Sequence, residues 1–241
     1  MAYTKHDVDV TGSPMEILTF MPEGAGPHPG IVITQHLPVA HAGLETDPFQ
    51  LDVGEKLAAN GYVAVLPYMF HWWPREEKMG AKRDAWRDDN SLLDLKAAYD
   101  ELVKIDSVDA GRVGIMGHCW GGRAAWLGAC HNTNFKVCGV FYGGRIKASM
   151  ADGATPPVEQ CANMKCDVFG VFGNDDANPS PADVDDLDRA LGDAGIDHEF
   201  HRYDGAGHGF QDFHNPERWR PDQTADAWAK LFTYFDARLK A

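Results

Sequence analysis

Cys119 stands in Gly117-His118-Cys119-Trp120-Gly121-Gly122, between an apolar run, Val113 to Met116, and a helix-forming stretch, Ala124 to Ala129. In a strand, glycine-flanked turn and helix of this kind the chain turns sharply and lifts the central side chain above the sheet. Here that side chain is a thiol, which attacks an acyl carbon well only once a base or cation brings it to thiolate. An imidazole is therefore expected nearby. Gly205-Ala206-Gly207-His208-Gly209-Phe210 supplies His208 directly after an expected strand over 199–203. A working imidazole needs a carboxylate to hold its tautomer. Gly173-Asn174-Asp175-Asp176, after an expected strand over 167–172, offers Asp175 or Asp176. The oxyanion of a tetrahedral intermediate needs backbone N–H donors. Trp120, next to the nucleophile, supplies one, and Leu37 or His36, after an expected strand over 30–34, supplies the other. The chemistry these residues predict is acyl transfer.

The elements that must position them are readable from hydrophobic pattern. Alternation over 5–10 and 16–21, with Gly12-Ser13-Pro14 between, predicts an antiparallel hairpin. The continuous apolar runs at 30–34 and 62–66 are the kind buried on both faces of a parallel sheet. A helix over 49–60 closed by Gly61 separates them. Residues 67–90 are aromatic and charged without period, and read as a loop or lid. From Ser91 a helical repeat of Leu92, Leu95, Tyr99 and Leu102 begins. The strand at 112–116 feeds the elbow, further strands follow near 137–142, 167–172 and 199–203, and a helix near 182–194 separates the last two. The chain closes on a helix that carries Trp228, Leu231, Phe232, Phe235 and Leu239 on one face. Strands alternating with helices imply a single α/β domain over 1–241, with a mostly parallel sheet covered on both sides. Ligands in such sheets bind at the carboxyl ends of the strands, where the elbow falls.

Composition narrows the partners. The chain has 241 residues, 22 basic and 36 acidic side chains and a formal charge of −14. With no basic stripe, nucleic acid and anionic membrane surfaces are not expected partners. No stretch reaches the roughly 20 apolar residues that span a bilayer. The first residues carry no apolar signal region, so a cytoplasmic location is expected. The five cysteines lack zinc-type spacing and are expected to be reduced, with Cys130, Cys138, Cys161 and Cys166 acting as small core hydrophobes. No metal or cofactor is expected: His36, His41 and His71 are loop histidines with no acidic or cysteine spacing to complete a site.

The quoted elbow, Phe141-Tyr142-Gly143-Gly144, Gly173-Asn174-Asp175-Asp176 and the Gly205 to Phe210 motif together resemble the dienelactone hydrolase family of α/β-hydrolases, from Gly30 to the terminal helix. The nucleophile, acid, histidine order is that of α/β-hydrolases. The resemblance implies an α/β-hydrolase fold and a triad of Cys119, Asp176 and His208, with the Trp120 and Leu37 amides at the oxyanion. Members that open dienelactone carry a glutamate just after the third strand, where this chain has His36, and arginines where it has Trp72 and Asp212. Loss of those cationic forks removes bidentate recognition of a substrate carboxylate. His36, Tyr68, Phe70, Trp72, Trp73, Tyr142 and Phe210 form the expected substrate-binding set, suited to a neutral or aromatic ester or lactone. Arg75, Arg83 and Arg87 either supply a replacement cation or are solvated surface residues. The expected function is ester or lactone hydrolysis through an acyl thioester. The alternatives are an acyltransferase or thioesterase with the same triad, and a non-catalytic ligand-binding or redox-sensing relative.

Overall fold

The computed structural model describes residues 3–37, 43–150 and 153–241. Strands β1 (Tyr3–Val10) and β2 (Ser13–Phe20) form the hairpin, and β3 (His28–Thr34), β4 (Val63–Pro67), β5 (Val108–His118), β6 (Phe135–Phe141), β7 (Asp167–Gly173) and β8 (His198–Tyr203) complete the sheet. The order is β1-β2-β4-β3-β5-β6-β7-β8. β2 runs antiparallel to β1 and β4, and every other pair is parallel. This is the α/β-hydrolase architecture that the resemblance implies, with the mostly parallel sheet and the hairpin expected from the pattern. β4 and most of β3 are buried along their length because helices cover both faces of the sheet.

The described residues hold six α-helices: α1 (Pro48–Ala59), α2 (Met79–Asp84), α3 (Asp88–Leu102), α4 (Trp120–His131), α5 (Pro181–Asp193) and α6 (Pro221–Leu239). Two of their starts carry side-chain caps. Asp47 caps α1 by accepting from the Gln50 amide, with Pro48 in the first turn. Ser180 and Asp183 cap α5 reciprocally. α1 and α6 meet over one face, where Tyr62 bonds Asp236 and the Lys56 ammonium lies over Trp228, while α3 and α4 pack together elsewhere on the sheet.

Two readings need correction. The hairpin turn is Thr11-Gly12, both with positive φ (52° and 89°), and Ser13 and Pro14 belong to β2. A two-residue turn of this hand matches the twist of the strands, and β4 pairs only with Ile17 to Phe20, so Pro14 meets no strand on that side. The segment 67–90 is not a continuous loop, because it holds α2 and the first turn of α3. Aromatic side chains there pack to several sides at once, which hides the helical period.

The strand ends are level. Thr34 pairs with Gly117, His118 with Phe141, and Gly173 with Tyr203. The order around β3 reverses between β4 and β5, so the segments after β3 and β5 flank a topological switch point. Cys119 is the first residue beyond β5, and residues 35–37 follow β3.

Candidate active site

Cys119 links β5 to α4 with φ 55° and ψ −119°, a conformation few side-chain-bearing residues adopt. It is held there by its N–H, which donates to Phe141 O at 2.9 Å, and by its carbonyl, which accepts from Arg123 N at 3.3 Å. The turn needs glycines for reasons of space. A Cβ at Gly117 would overlap Thr34 Oγ1, and one at Gly121 would overlap Thr34 O. Thr34 Oγ1 donates toward Gly121 O (2.6 Å) and Met116 O (3.0 Å), drawing β3 against the elbow.

His208, on the turn after β8, brings Nε2 to 2.9 Å from Cys119 Sγ and Nδ1 to 2.8 Å from Asp176 Oδ2. Asp176 is 5% exposed, whereas Asp175, one position earlier, is exposed. Asp176 Oδ1 also accepts from the Asn178 amide at 2.8 Å. Burial, the largest single influence, lowers the His208 pKa. It is outweighed by hydrogen bonds to Asp176 and Cys119 together with their charges, and the imidazole rises to about 10. The ring therefore holds a proton beside the sulfur through neutral pH. Tyr142 stands edge-on to His208 at 5.4 Å. Burial, then the charges of Cys119, Asp212 and Asp176, hold its phenol well above the ordinary value, so it remains an O–H donor.

The N–H of Trp120 lies in the first turn of α4, where no helical carbonyl precedes it. The N–H of Leu37 has no backbone acceptor among the described residues. His36 turns its Nε2 to Asp47 Oδ2 at 2.5 Å and stacks on Phe49 at 5.2 Å, so its hydrogen bond goes to a carboxylate and not to sulfur. Among the described residues no cluster of His, Cys, Asp or Glu has the makings of a metal cage, and His41 lies outside them. The five cysteines are free thiols. No helix among the described residues is long and apolar enough to cross a membrane.

The aromatic set divides. Tyr68, Phe70 and Phe210 are core side chains: Phe70 packs on Trp86 at 5.0 Å and Phe210 on Tyr142 at 5.6 Å. The Trp72 indole N–H is spent on the buried carboxylate of Asp94, which His71 also contacts at 2.8 Å. Trp73 is partly buried and stacks on Trp86 at 6.4 Å. Arg75 binds Glu16 at 3.0 Å. Sequence reasoning missed Trp86, which meets the Trp120 ring edge-on at 5.3 Å, and Arg123, which is 1% exposed. An arginine inside the apolar stretch 120–130 was the available signal for the second, and nothing in the unpatterned 67–90 segment singled out the first.

The dienelactone hydrolase family profile matches residues 15–239. The chain belongs to the dienelactone hydrolase family. It is 30% identical over 225 residues to a Methylorubrum extorquens protein named "putative carboxymethylenebutenolidase", across 89% of this chain and 74% of that protein. A Synechocystis protein of the same name is 28% identical over 229 residues, 91% of this chain and 90% of the relative. A crystal structure of a "putative dienelactone hydrolase" from Klebsiella pneumoniae superposes with a TM-score of 0.83 at 24% identity, covering 98% and 99% of the two chains. A metagenomic dienelactone hydrolase-like promiscuous phosphotriesterase gives 0.82 at 18%, covering 98% of each. At these identities the two structures speak for the fold alone. Within the family, this chain carries the thiol elbow and a hydrogen-bonded Cys119, His208 and Asp176 chain, and neither position 72 nor position 212 is cationic.

Proposed function

We propose that this family member hydrolyses carboxylic esters or lactones through an acyl thioester on Cys119. The observation that carries the reading is the imidazole bridging Sγ at 2.9 Å and a buried carboxylate at 2.8 Å.

In the first half-reaction Sγ, paired with the protonated His208, attacks the carbonyl carbon. The C=O electron pair moves to oxygen, where the N–H groups of Trp120 and Leu37 stabilise it. The intermediate collapses by expelling the alkoxide or enolate, which takes the His208 proton. In the second half, neutral His208 accepts a proton from water as the water oxygen adds to the thioester. Collapse returns the thiolate, and the carboxylic acid leaves. Asp176 keeps the Nδ1 proton in place throughout and balances the imidazolium. Tyr142 at the His208 edge and the partly buried Trp73 belong to the apolar surround of the substrate. With Trp at 72 and Asp at 212, these two positions offer no cationic fork for a substrate carboxylate.

The test is hydrolysis of a short aryl ester and a γ-lactone by the wild type and Cys119→Ala. Wild-type turnover should begin with a burst, and one iodoacetamide per chain should abolish it. An unchanged rate in Cys119→Ala would overturn the reading. Product analysis with added alcohol or thiol separates hydrolysis from acyl transfer to those acceptors.

A further inference from the structure

Beside the triad lies a cleft of about 590 Å³ whose wall includes Trp120 and Trp86 but none of Cys119, His208 or Asp176. Among the described residues, three arginines, Arg83, Arg87 and Arg145, and one carboxylate, Asp84, line it. Arg83 is paired with Asp84 at 3.2 Å. That leaves two cations facing one cavity in a chain whose formal charge is −14.

The backbone segments that carry those two residues meet at one buried group. Asp88, the residue after Arg87, receives both Nη atoms of Arg123 at 2.5 and 2.9 Å. The same guanidinium donates from Nε to the carbonyl of Arg145 at 3.1 Å and from Nη2 to that of Ala148 at 2.9 Å. Arg145 has φ 60°, and its N–H is held by Asn178 Oδ1 at 3.1 Å. A non-glycine residue in this region costs free energy that its surroundings must offset. The backbones bearing Arg87 and Arg145 are thus fixed to a common internal ion pair, while both of these residues are exposed. Guanidinium forks recognise carboxylate and phosphate oxygens well. The Trp86 and Trp120 rings and Met150 add an apolar wall beside them.

We infer that this cleft binds an organic anion, with its acidic group between Arg87 and Arg145 and its flat or apolar part against Trp86 and Trp120. Because Trp120 also carries the amide proposed for the oxyanion, an occupant adjoins the reacting centre without touching the triad. The acidic group belongs either to the substrate or to a separate effector, and the two sources differ in kinetics.

The binding arm does not depend on the hydrolase reading. Benzoate titrated into the wild-type protein by calorimetry should bind saturably and weaken with salt. Arg87→Gln and Arg145→Gln should each weaken it by about fivefold or more, and the double variant should abolish it. Both residues are exposed, so the variants should keep the wild-type Tm. Absence of saturable binding, or variants that bind as the wild type does, overturns the site. The kinetic arm rests on the proposed hydrolysis and compares phenyl acetate with monophenyl succinate. If the acid group is the substrate's, KM for the succinate ester rises in both variants while that for phenyl acetate holds. If it is an effector's, benzoate alters kcat for phenyl acetate in the wild type and not in the double variant. Either pattern supports the inference. An active enzyme that shows neither overturns the coupling of this cleft to the reaction.

Discussion

Arg123 and Asp88 form a two-pronged ion pair inside the protein, with Nη1 to Oδ1 at 2.5 Å and Nη2 to Oδ2 at 2.9 Å and side chains only 2% and 9% exposed. It joins the elbow helix α4 to the first turn of α3 and to the loop after β6. Removing one partner strands a buried charge, a loss of about 3–5 kcal/mol. Arg123→Met should therefore lower the Tm by roughly 10 °C for a chain of this size. Adding Asp88→Leu to it should recover part of that loss, since no lone carboxylate then remains, although the carbonyls of Arg145 and Ala148 still lack their donor. Thermal unfolding of the three proteins checks this. A double variant no more stable than Arg123→Met would show that the backbone bonds, not the stranded carboxylate, set the cost.

Because His208 keeps its proton up to about pH 10, the acid that protonates the leaving group is present across the neutral range. We expect kcat/KM for an aryl ester to stay level from pH 7 to 9 and to fall tenfold per unit once the pH passes about 10. Asp176→Asn removes a hydrogen bond and a charge that raise the imidazole. The alkaline fall should then begin at lower pH, and the rate should drop on the order of a hundredfold or more. A profile unchanged in its alkaline limb by Asp176→Asn would contradict the role given to that carboxylate.

How much of this could be read in the chain depended on the range of the interaction. The buried strands declared themselves as apolar runs, and the thiol, acid and imidazole each follow the end of a strand with a glycine close by. The choice between Asp175 and Asp176 was not visible in residue type, because it depends on which carboxylate the strand-end turn buries under the imidazole. The partner of His36 was equally hidden. Asp47 caps α1 through one oxygen, and only folding brings its second oxygen to the imidazole. In the 67–90 segment the aromatic residues serve the core, the Asp94 carboxylate and the cleft at once, so no single period marks α2 or the start of α3.

His118, the neighbour of the nucleophile, sets an acid limit on stability. It is fully buried, donates through Nε2 to Gln211 Oε1 at 3.0 Å and stacks on Phe141 at 4.4 Å. Burial first, then the nearby charge of His36, hold its pKa down at about 3. Between there and the ordinary value of 6.5 the unfolded chain binds a proton that the native chain refuses. This contribution to stability is whole above about pH 6.5 and is lost as the pH falls toward 3, at up to about 1.4 kcal/mol per unit. In His118→Gln, urea midpoints should fall less steeply from pH 6.5 to 4.5 than in the wild type. Parallel slopes would refute the assignment.

The His36 and Asp47 pair ties the segment carrying the Leu37 amide to the capped start of α1. His36→Ala frees that segment without removing any triad atom. Its expected effect is on kcat for an aryl ester, about tenfold, with KM and the iodoacetamide reactivity of Cys119 little changed, as fits a donor made only in the transition state. His36→Gln, which keeps a donor in reach of Asp47, should restore much of the rate. Equal loss in the two variants would remove His36 from the positioning of that amide.

Glycine content offers a paired test of where space is used. At Gly121 an added methyl would overlap the Thr34 carbonyl, backbone that cannot swing aside, while at Gly192 in α5 it would meet nothing within 4 Å. Gly121→Ala must push β3 and the elbow apart, a strain on the order of 1–3 kcal/mol or more, and the same movement carries Sγ away from His208, so activity should fall along with Tm. Gly192→Ala, in an ordinary helical conformation, should gain about 0.4–1 kcal/mol by restricting the unfolded chain and leave turnover alone. Measuring both variants by thermal unfolding and by initial rates separates a glycine needed for the elbow from one that merely occupies a helix. Wild-type rates in Gly121→Ala would mean that the elbow does not depend on close approach to Thr34.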